Sequence, residues 1–271
     1  MRILFNLFPE GKTKALTMSY DDGTVHDRRL VEIFNKYGIR GTFHLNSGRF
    51  GQPNVISADE VAGLFAGHEI SCHSVTHPSL AMTPREYMQE EIVQDRINLE
   101  KLAGYVVRGM SYPNGSYDQN VIDILRGVGM EYSRTTVSTH NFTLPADFMA
   151  WHPTCHHREP ELMTLAEKFT EKPNKTANLW LFYVWGHTYE FRDNDNWYIL
   201  EDLLKKVAGL DDVWYATNIE IVTYLKAMEK LVWSADRTRV MNPTATELWL
   251  RSPGQGEVIR ITPGETLALD Q

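Results

Sequence analysis

Short apolar runs alternate with amphipathic helical patterns along the chain, up to about residue 228. The apolar runs predict about eight strands, over residues 14–22, 40–46, 68–74, 105–113, 130–136, 148–154, 179–187 and 213–217. The helical patterns cover residues 27–38, 57–68, 83–104, 118–129, 196–209 and 218–229. Such alternation is typical of βα units with a mostly parallel sheet. We therefore predict an α/β fold, a (β/α) barrel that is irregular or incomplete with seven to eight strands, rather than an open doubly wound sheet.

Residues that favour helix ends support the boundaries of two of these helices. Ser57 and Glu60 have the spacing of a capping box at the start of the second helix. In the long third helix we predict Thr83 as the N-cap, Pro84 at the first helical position and Gly104 just after the end.

The pattern changes after residue 230, where helical periodicity stops and turn residues become frequent. Runs such as 257–262 suit short antiparallel strands. We predict a barrel over residues 1–230 and a small β appendage over 231–271 that packs on it. Sealing one side of the barrel is the favoured role for the appendage, because so few strands need an apolar partner surface, and a sugar-binding surface is the alternative.

Composition narrows the possible partners. The 271 residues include 42% hydrophobic and 23% charged residues, and the formal net charge of −8 makes nucleic acid an unsuitable partner. No stretch predicts a transmembrane span or a signal peptide, so we expect a cytoplasmic protein without a membrane partner. Cys72 and Cys155 are expected to be free, buried thiols. No glycine-rich dinucleotide loop follows a strand, and the pattern does not indicate an oligomeric state.

Candidate chemistry lies at the carboxyl ends of three predicted strands. Asp21 and Asp22 end the first, His73 and His77 follow the third, and His187 ends the late apolar strand. In barrels of this class that end of the sheet holds the active site. Two histidines and an aspartate with an open position are typical of catalytic zinc, although a pair of structural histidines would explain "HSVTH" alone. We predict Asp22, His73 and His77 as ligands of Zn²⁺, with Co²⁺, Ni²⁺ or Mn²⁺ also tolerated, and Asp21 as a free base beside the ion.

Four stretches together resemble the motifs of the polysaccharide deacetylase family, also called carbohydrate esterase family 4. They are "SYDDG" at 19–23, "HSVTH" at 73–77, "SYPNG" at 111–115 and the late strand that ends at His187. The resemblance spans roughly residues 14 to 190, closely in the first two motifs and loosely in the others. It implies Asp21 as general base, Asp22, His73 and His77 as metal ligands, and His187 as general acid. The family removes acetyl groups, mostly N-acetyl from amino sugars and in some members O-acetyl from xylan.

The chain departs from the family pattern in its third and fourth motifs. Ser111 stands where the family usually has an arginine, and either Arg108 or Arg134 is a candidate for the missing positive partner of Asp21. The fourth motif is only hinted at by "ADFMAWHPTCHH", in which Trp151 either packs on His187 or belongs to the core. A second metal held by His152, His156 and His157 is also conceivable, but solvated loop histidines are the simpler interpretation.

We predict substrate contacts at the rim of the site. A backbone N–H of the "SYPNG" loop, assigned to Asn114, is expected to bind the oxyanion. The other predicted contacts are Tyr112, Arg108, Trp151 and His152.

The predicted function is metal-dependent hydrolysis of an acetyl group from a carbohydrate, an N-acetyl amino sugar or oligosaccharide, by an activated water. The alternatives are an O-acetyl esterase of the xylan type, a small-molecule amidohydrolase, and a non-catalytic carbohydrate-binding barrel. The complete set of base, acid and ligands argues against the last of these.

Overall fold

A curled parallel sheet forms the centre of the computed structural model, which describes residues 5–171, 178–252 and 257–269. Its strands are β2 (Lys14–Asp21), β3 (Gly41–Leu45), β4 (Glu69–Cys72), β5 (Gly109–Ser111), β6 (Tyr132–Arg134), β7 (Cys155–His156), β8 (Trp180–His187) and β9 (Val213–Tyr215). The order is β6-β5-β4-β3-β2-β8-β7, and β9 pairs with the first residues of β2. A single parallel bridge pairs Arg134 in β6 with Trp151, which precedes β7 in the chain. The predicted irregular (β/α) barrel is therefore confirmed.

Helices follow most of these strands, as the pattern of βα units requires. They are α1 (Asp27–Tyr37), α2 (Val61–Leu64), α3 (Arg85–Ala103), α4 (Gln119–Gly127), α5 (Leu162–Glu171), α6 (Thr188–Asp193), α7 (Trp197–Val207) and α8 (Asn218–Met228). The capping box is present, since the Glu60 carboxylate accepts hydrogen bonds from the Ser57 backbone at 2.7 Å and its hydroxyl at 3.1 Å. It starts only a 3₁₀ turn and the single turn of α2, shorter than predicted.

Two other boundaries differ from the prediction. Pro84, with an extended ψ of 143°, takes the N-cap position of α3 in place of Thr83, so the helix begins one residue later. The strand predicted over residues 148–154 is wrong, because Phe148–Ala150 forms a 3₁₀ turn in which the Asp147 carboxylate accepts a hydrogen bond from Met149. Strand pairing to β8 begins only after Pro153, which has no N–H to donate.

The register of the central strands places chemistry at one edge of the sheet. Asp21 at the end of β2 lies opposite His44 in β3 and opposite His187 in β8. Cys72, the last residue of β4, pairs with Leu45, so His73 leaves the sheet at the same edge. Because the strands are parallel, their carboxyl ends form one surface around Asp21.

The remaining strands form two antiparallel sheets at the other end of the barrel. They are β1 (Phe5–Leu7), β10 (Val232–Trp233), β11 (Arg239–Met241), β12 (Leu248–Arg251), β13 (Val258–Ile261) and β14 (Thr266–Ala268), in the orders β1-β12-β13 and β10-β11-β14. Buried Leu250 and Ile261 share one apolar cluster with Tyr224 of α8 and with Tyr183 inside the barrel. This packing supports the predicted sealing role, whereas the boundary at residue 230 and the sugar-binding alternative stay predictions.

Within residues 5–171, 178–252 and 257–269, no helix combines the length and the apolar character needed to cross a membrane. The predicted cytoplasmic location is not tested by this finding. Both cysteines, Cys72 and Cys155, are buried and free.

Candidate metal centre and active site

Asp22, His73 and His77 come together beyond the ends of β2 and β4. Asp22 Oδ1 lies 3.9 Å from His73 Nε2 and 3.7 Å from His77 Nε2. One ligand atom from each residue falls within 4.8 Å of the other two. The structure therefore gathers the three predicted ligands around a single point.

Several features show that this donor set fits a divalent ion. Asp22 Oδ1 is buried and accepts no hydrogen bond from the described residues, and the Arg49 guanidinium approaches it only to 3.6 Å. His73 Nδ1 donates to the Ser111 carbonyl at 2.9 Å, which leaves Nε2 directed at the gap. In metal-binding histidines, a hydrogen bond from the ring nitrogen that does not bind the metal usually fixes the orientation of the ring. One carboxylate and two imidazoles are ligands of the zinc class.

The backbone holds two of these residues in a rarely adopted conformation. Asp22 has φ 77° and His77 has φ 68°, both in the left-handed region. Hydrogen bonds fix each of them, from Asp22 N–H to the His44 carbonyl at 3.0 Å and from His77 N–H to Ser74 Oγ at 3.1 Å. Such strain persists where the surrounding structure imposes it, and it is frequent at functional sites.

Asp21 lies beside this donor set but bonds to a different group of side chains. It is 1% exposed, and Oδ1 accepts hydrogen bonds from His44 Nδ1 at 3.1 Å and Ser111 Oγ at 3.2 Å, while Arg134 Nη2 donates to Oδ2. Burial raises the pKa of Asp21, but the charges of Arg134 and His73 and the His44 hydrogen bond outweigh it and hold the pKa well below its usual value. Asp21 is therefore kept ionised.

Arg134 supplies the positive partner that the third motif lacks. Its guanidinium is fully buried and stacks on the Trp185 ring at 3.9 Å, which fixes its direction toward Asp21. Arg108 precedes β5 at the opposite end of the barrel, where it donates to Glu131 at 2.7 Å. The prediction that Arg108 contacts substrate is therefore wrong.

His187 lies at the end of β8, next to Asp21 in the sheet register. Its Nδ1 is 3.5 Å from Glu190 Oε2 in the first turn of α6, and the rings of Trp185 and Tyr189 lie at 5.6 and 5.2 Å. Burial lowers the pKa of His187, but the Glu190 hydrogen bond and the charges of Asp21 and Asp22 raise it above its usual value. The environment thus favours the protonated ring.

Sequence reasoning did not single out Glu190, His44 or Trp185. Glu190 carried a usable signal, because it follows His187 by three residues where a helix begins, which is the spacing of a capping box. His44 carried no local signal, since only strand pairing brings it to Asp21.

The predicted aromatic contacts to substrate are wrong. Tyr112 and Trp151 are each 1% exposed, so neither ring can stack on a sugar. The Tyr112 hydroxyl donates to the Met149 carbonyl at 2.7 Å, and Trp151 packs edge-on against Tyr132 and Tyr183. Trp185, and not Trp151, lies against His187.

Asn114 and His152 remain compatible with the predicted roles. Asn114 has φ 57° in the turn after β5, and its side chain donates to Ser79 Oγ at 3.2 Å. His152 is half-buried, with Nδ1 2.6 Å from Thr135 Oγ1. Their contacts with a substrate stay predictions.

The model of the polysaccharide deacetylase family matches residues 9–133, which include Asp21, Asp22, His73 and His77. The chain is 26% identical over 112 residues to a peptidoglycan-N-acetylglucosamine deacetylase of Bacillus cereus, an alignment that covers 39% of this chain and 38% of that protein. The chain spans less than half the length of the curated relatives it matches.

Two solved structures share the fold at low identity. A family 4 acetyl xylan esterase from Clostridium thermocellum, in complex with a cobalt ion, aligns with a TM-score of 0.51 at 15% identity, covering 77% of this chain and 90% of that one. BA3943 from Bacillus anthracis, a pseudoenzyme of carbohydrate esterase family 4, aligns with a TM-score of 0.51 at 18% identity, covering 80% and 68%. Residues 9–133 match the model of the polysaccharide deacetylase family, and two structures of carbohydrate esterase family 4 share the fold, so this part of the chain is similar to that family.

Proposed function

We propose that the chain is a metal-dependent hydrolase that removes an acetyl group from an N-acetyl amino sugar or oligosaccharide. One observation carries this proposal: an ionised, buried carboxylate stands beside the donor set, with Asp21 Oδ2 3.8 Å from His73 Nε2. His187, at the end of the neighbouring strand β8, is the register partner of Asp21. A base and an acid therefore flank the candidate metal centre, as water-driven acyl cleavage requires.

The residues of the chain have separate tasks in this reaction. Asp22, His73 and His77 would hold a divalent ion, which when bound polarises the acetyl carbonyl and lowers the pKa of water. Asp21 takes the proton from the attacking water as its oxygen bonds to the acetyl carbon. The backbone N–H of Asn114 donates to the developing oxyanion. His187 then protonates the leaving nitrogen as the C–N bond breaks, so that acetate and a free amine result.

The choice of an N-acetyl sugar as substrate follows from a relative of the chain. The Bacillus cereus relative is named as acting on N-acetylglucosamine in peptidoglycan, which favours an N-acetyl sugar here. An O-acetyl esterase would need the same base, divalent ion and acid, because its alkoxide leaving group must also be protonated as the C–O bond breaks. The pseudoenzyme with this fold makes a non-catalytic carbohydrate-binding barrel the second candidate.

Acetate release from chitin oligomers, acetylated xylan and small N-acetyl compounds, with and without a chelator, tests activity and substrate together. Asp21→Asn is expected to lower turnover by about 10²-fold or more while metal content is unchanged, because it removes the base and no ligand. Asp22→Ala is expected to lose the metal itself. Asp59→Asn, an exposed acid on the 3₁₀ turn before α2, is the matched control.

Two outcomes would contradict the proposal. Retained turnover in Asp21→Asn would remove Asp21 from the role of base. Absence of acetate from all three substrate types, with metal present, would favour the non-catalytic barrel.

A further inference from the structure

Three histidines surround one carboxylate next to the candidate metal centre. Glu190 Oε2 lies 3.2 Å from His156 Nε2, 3.1 Å from His157 Nε2 and 3.5 Å from His187 Nδ1. The potential ligand atoms of His156, His187 and Glu190 all lie within 4.8 Å of one another. This cluster, which we call the Glu190 cluster, shares no residue with the Asp22, His73 and His77 set. His152 does not take part, because its Nδ1 contacts Thr135.

His157 is fixed within the Glu190 cluster by packing. Its ring is 3% exposed and stacks between Phe191, at a centroid distance of 4.1 Å, and Tyr20, at 5.7 Å. Neither ring nitrogen has a hydrogen bond to the described residues, although Nε2 points at the Glu190 carboxylate. A buried polar atom without a partner is costly, and such atoms often face an ion or water.

The spacing in the cluster is that of a coordination sphere. Bonds of about 2.0–2.2 Å to a tetrahedral zinc ion place neighbouring ligand atoms about 3.3–3.5 Å apart. The separations from Glu190 Oε2 to His156 Nε2 and His187 Nδ1, 3.2 and 3.5 Å, are close to this requirement. Arg158 Nη1 contacts the other oxygen, Oε1, at 3.1 Å and anchors the carboxylate, while Oε2 faces the three imidazoles and also accepts a hydrogen bond from the backbone N–H of His187 at 3.3 Å.

An ion can also reach the cluster. The side chains of His156 and His187 are 16% and 20% exposed, whereas His157 closes the inner side. Two imidazoles and a carboxylate with open positions are donors that suit a divalent transition metal better than Ca²⁺ or Mg²⁺.

We propose that the Glu190 cluster is a second binding site for a divalent ion of the zinc class, with Glu190, His156 and His187 as ligands and His157 as an adjacent donor. Occupancy also has a consequence, which rests on the proposed function. An imidazole that binds an ion through Nδ1 cannot carry the second ring proton of an imidazolium, so His187 loses its role as general acid. A second equivalent of zinc therefore inhibits the enzyme that the first equivalent activates.

Metal analysis after equilibrium dialysis of the full chain against Zn²⁺ tests the site without reference to activity. We expect His156→Ala to retain one ion fewer than the parent protein. Asp22→Ala should lose the ion of the Asp22, His73 and His77 set and keep the ion of the Glu190 cluster. His152→Ala, in the same segment but outside the cluster, is the control and should bind as the parent does. Circular dichroism verifies folding, and Glu190→Gln serves as a second variant that removes the shared carboxylate. A parent that binds a single ion, or an unchanged stoichiometry in His156→Ala and Glu190→Gln, overturns the proposal.

Acetate release at increasing Zn²⁺ tests the inhibitory role. The second equivalent is expected to lower turnover by about 100-fold, the low end of what a positioned general acid contributes. Each variant is compared with its own activity at one equivalent, and His156→Ala should lose the inhibition. If a second ion binds and turnover is unchanged, the proposal that an ion in the Glu190 cluster inhibits the enzyme is overturned. If no variant or parent shows activity, the proposed function fails while the binding result still decides the site.

Discussion

Asp21 keeps its charge in a buried position because residues from three strands contact it. His44 in β3 and Ser111 in β5 donate hydrogen bonds, and Arg134 in β6 brings a full positive charge. A buried carboxylate without such partners would shift its pKa upward and take up a proton. The Arg134 guanidinium can reach Asp21 and stack on Trp185 at once because it is planar.

Arg134→Lys is expected to lower the turnover of the proposed deacetylase by about 10-fold or more, equivalent to roughly 1.4 kcal/mol in transition-state stabilisation. A compact ammonium cannot reproduce the stacked, directed contact with Asp21. Steady-state acetate release measures the effect, and metal analysis should show unchanged content. Arg108→Lys, at the opposite end of the barrel, is the matched control. Equal losses in both variants would contradict the assignment of Arg134.

Local signals were sufficient to place some of these residues but not others. Asp21, His73 and His187 each follow an apolar strand pattern, so their shared edge could be predicted from the parallel sheet. The choice between Arg108 and Arg134 could not be predicted, because the pattern does not show that Arg108 precedes β5 while Arg134 ends β6. The exposure of Tyr112 depends on tertiary packing over its ring, which periodicity does not report.

At the scale of elements, the junction of β8 and α6 sets the geometry around His187. β8 ends at His187 and α6 begins at Thr188. Glu190, one helical turn after His187, therefore lies next to the His187 side chain. Gly186, just before the junction, allows the His157 ring to approach. A Cβ on Gly186 would lie 2.0 Å from His157 Nδ1, well inside contact distance.

Gly186→Ala is expected to destabilise the protein by about 1–3 kcal/mol, because the fixed ring of His157 must move from between Phe191 and Tyr20. Urea unfolding measures the change in the free energy of unfolding. Gly63→Ala in α2 is the control, since an added Cβ there meets nothing within 4 Å. It should be neutral or stabilise by up to about 1 kcal/mol. If Gly186→Ala behaves as Gly63→Ala does, the close packing of His157 is not a constraint.

The predictability of elements followed their length only in part, because the three-residue β5, β6 and β9 lie within predicted strands whereas the ten-residue α5 was not predicted. The eight-residue strands β2 and β8 form long buried runs, the helices α7 and α8 have enough residues to show a period, and the pattern predicted each of them. The two-residue β7 and the six-residue α6 have no detectable period. Both of these short elements carry residues of the Glu190 cluster.

At the scale of the molecule, buried polar contacts join several strands near their amino ends to α8. Glu69, at the start of β4, accepts hydrogen bonds from Tyr132 at 2.7 Å, Thr42 at 2.9 Å and the Ile219 N–H of α8 at 2.9 Å. Burial nevertheless raises the pKa of Glu69 to about 7. The carboxyl therefore titrates near neutral pH within the folded barrel.

Stability is expected to fall as pH rises from about 4.5 to 7, because the folded state binds a proton on Glu69 more tightly than the unfolded chain does. That stabilisation is complete below the unfolded pKa and is lost as pH passes through the folded value. Over this pH range the free energy of unfolding of Glu69→Gln should fall by up to roughly 3 kcal/mol less than that of the parent protein. Thermal or urea unfolding across this range measures it, with the exposed Glu32→Gln as control. Parallel pH profiles for parent and Glu69→Gln would contradict the assignment.

The pairing of β1 with β12 constrains how the molecule is made. Phe5 lies opposite Arg251 and Leu7 opposite Trp249, so β1 can pair with its neighbour only after all the residues between them have been synthesised. Contacts this far apart in the chain form slowly, because a long loop must close before they contribute. Until then the unpaired edge of β1 is open to strands of other nascent chains, and slower synthesis of the residues between β1 and β12 should increase aggregation.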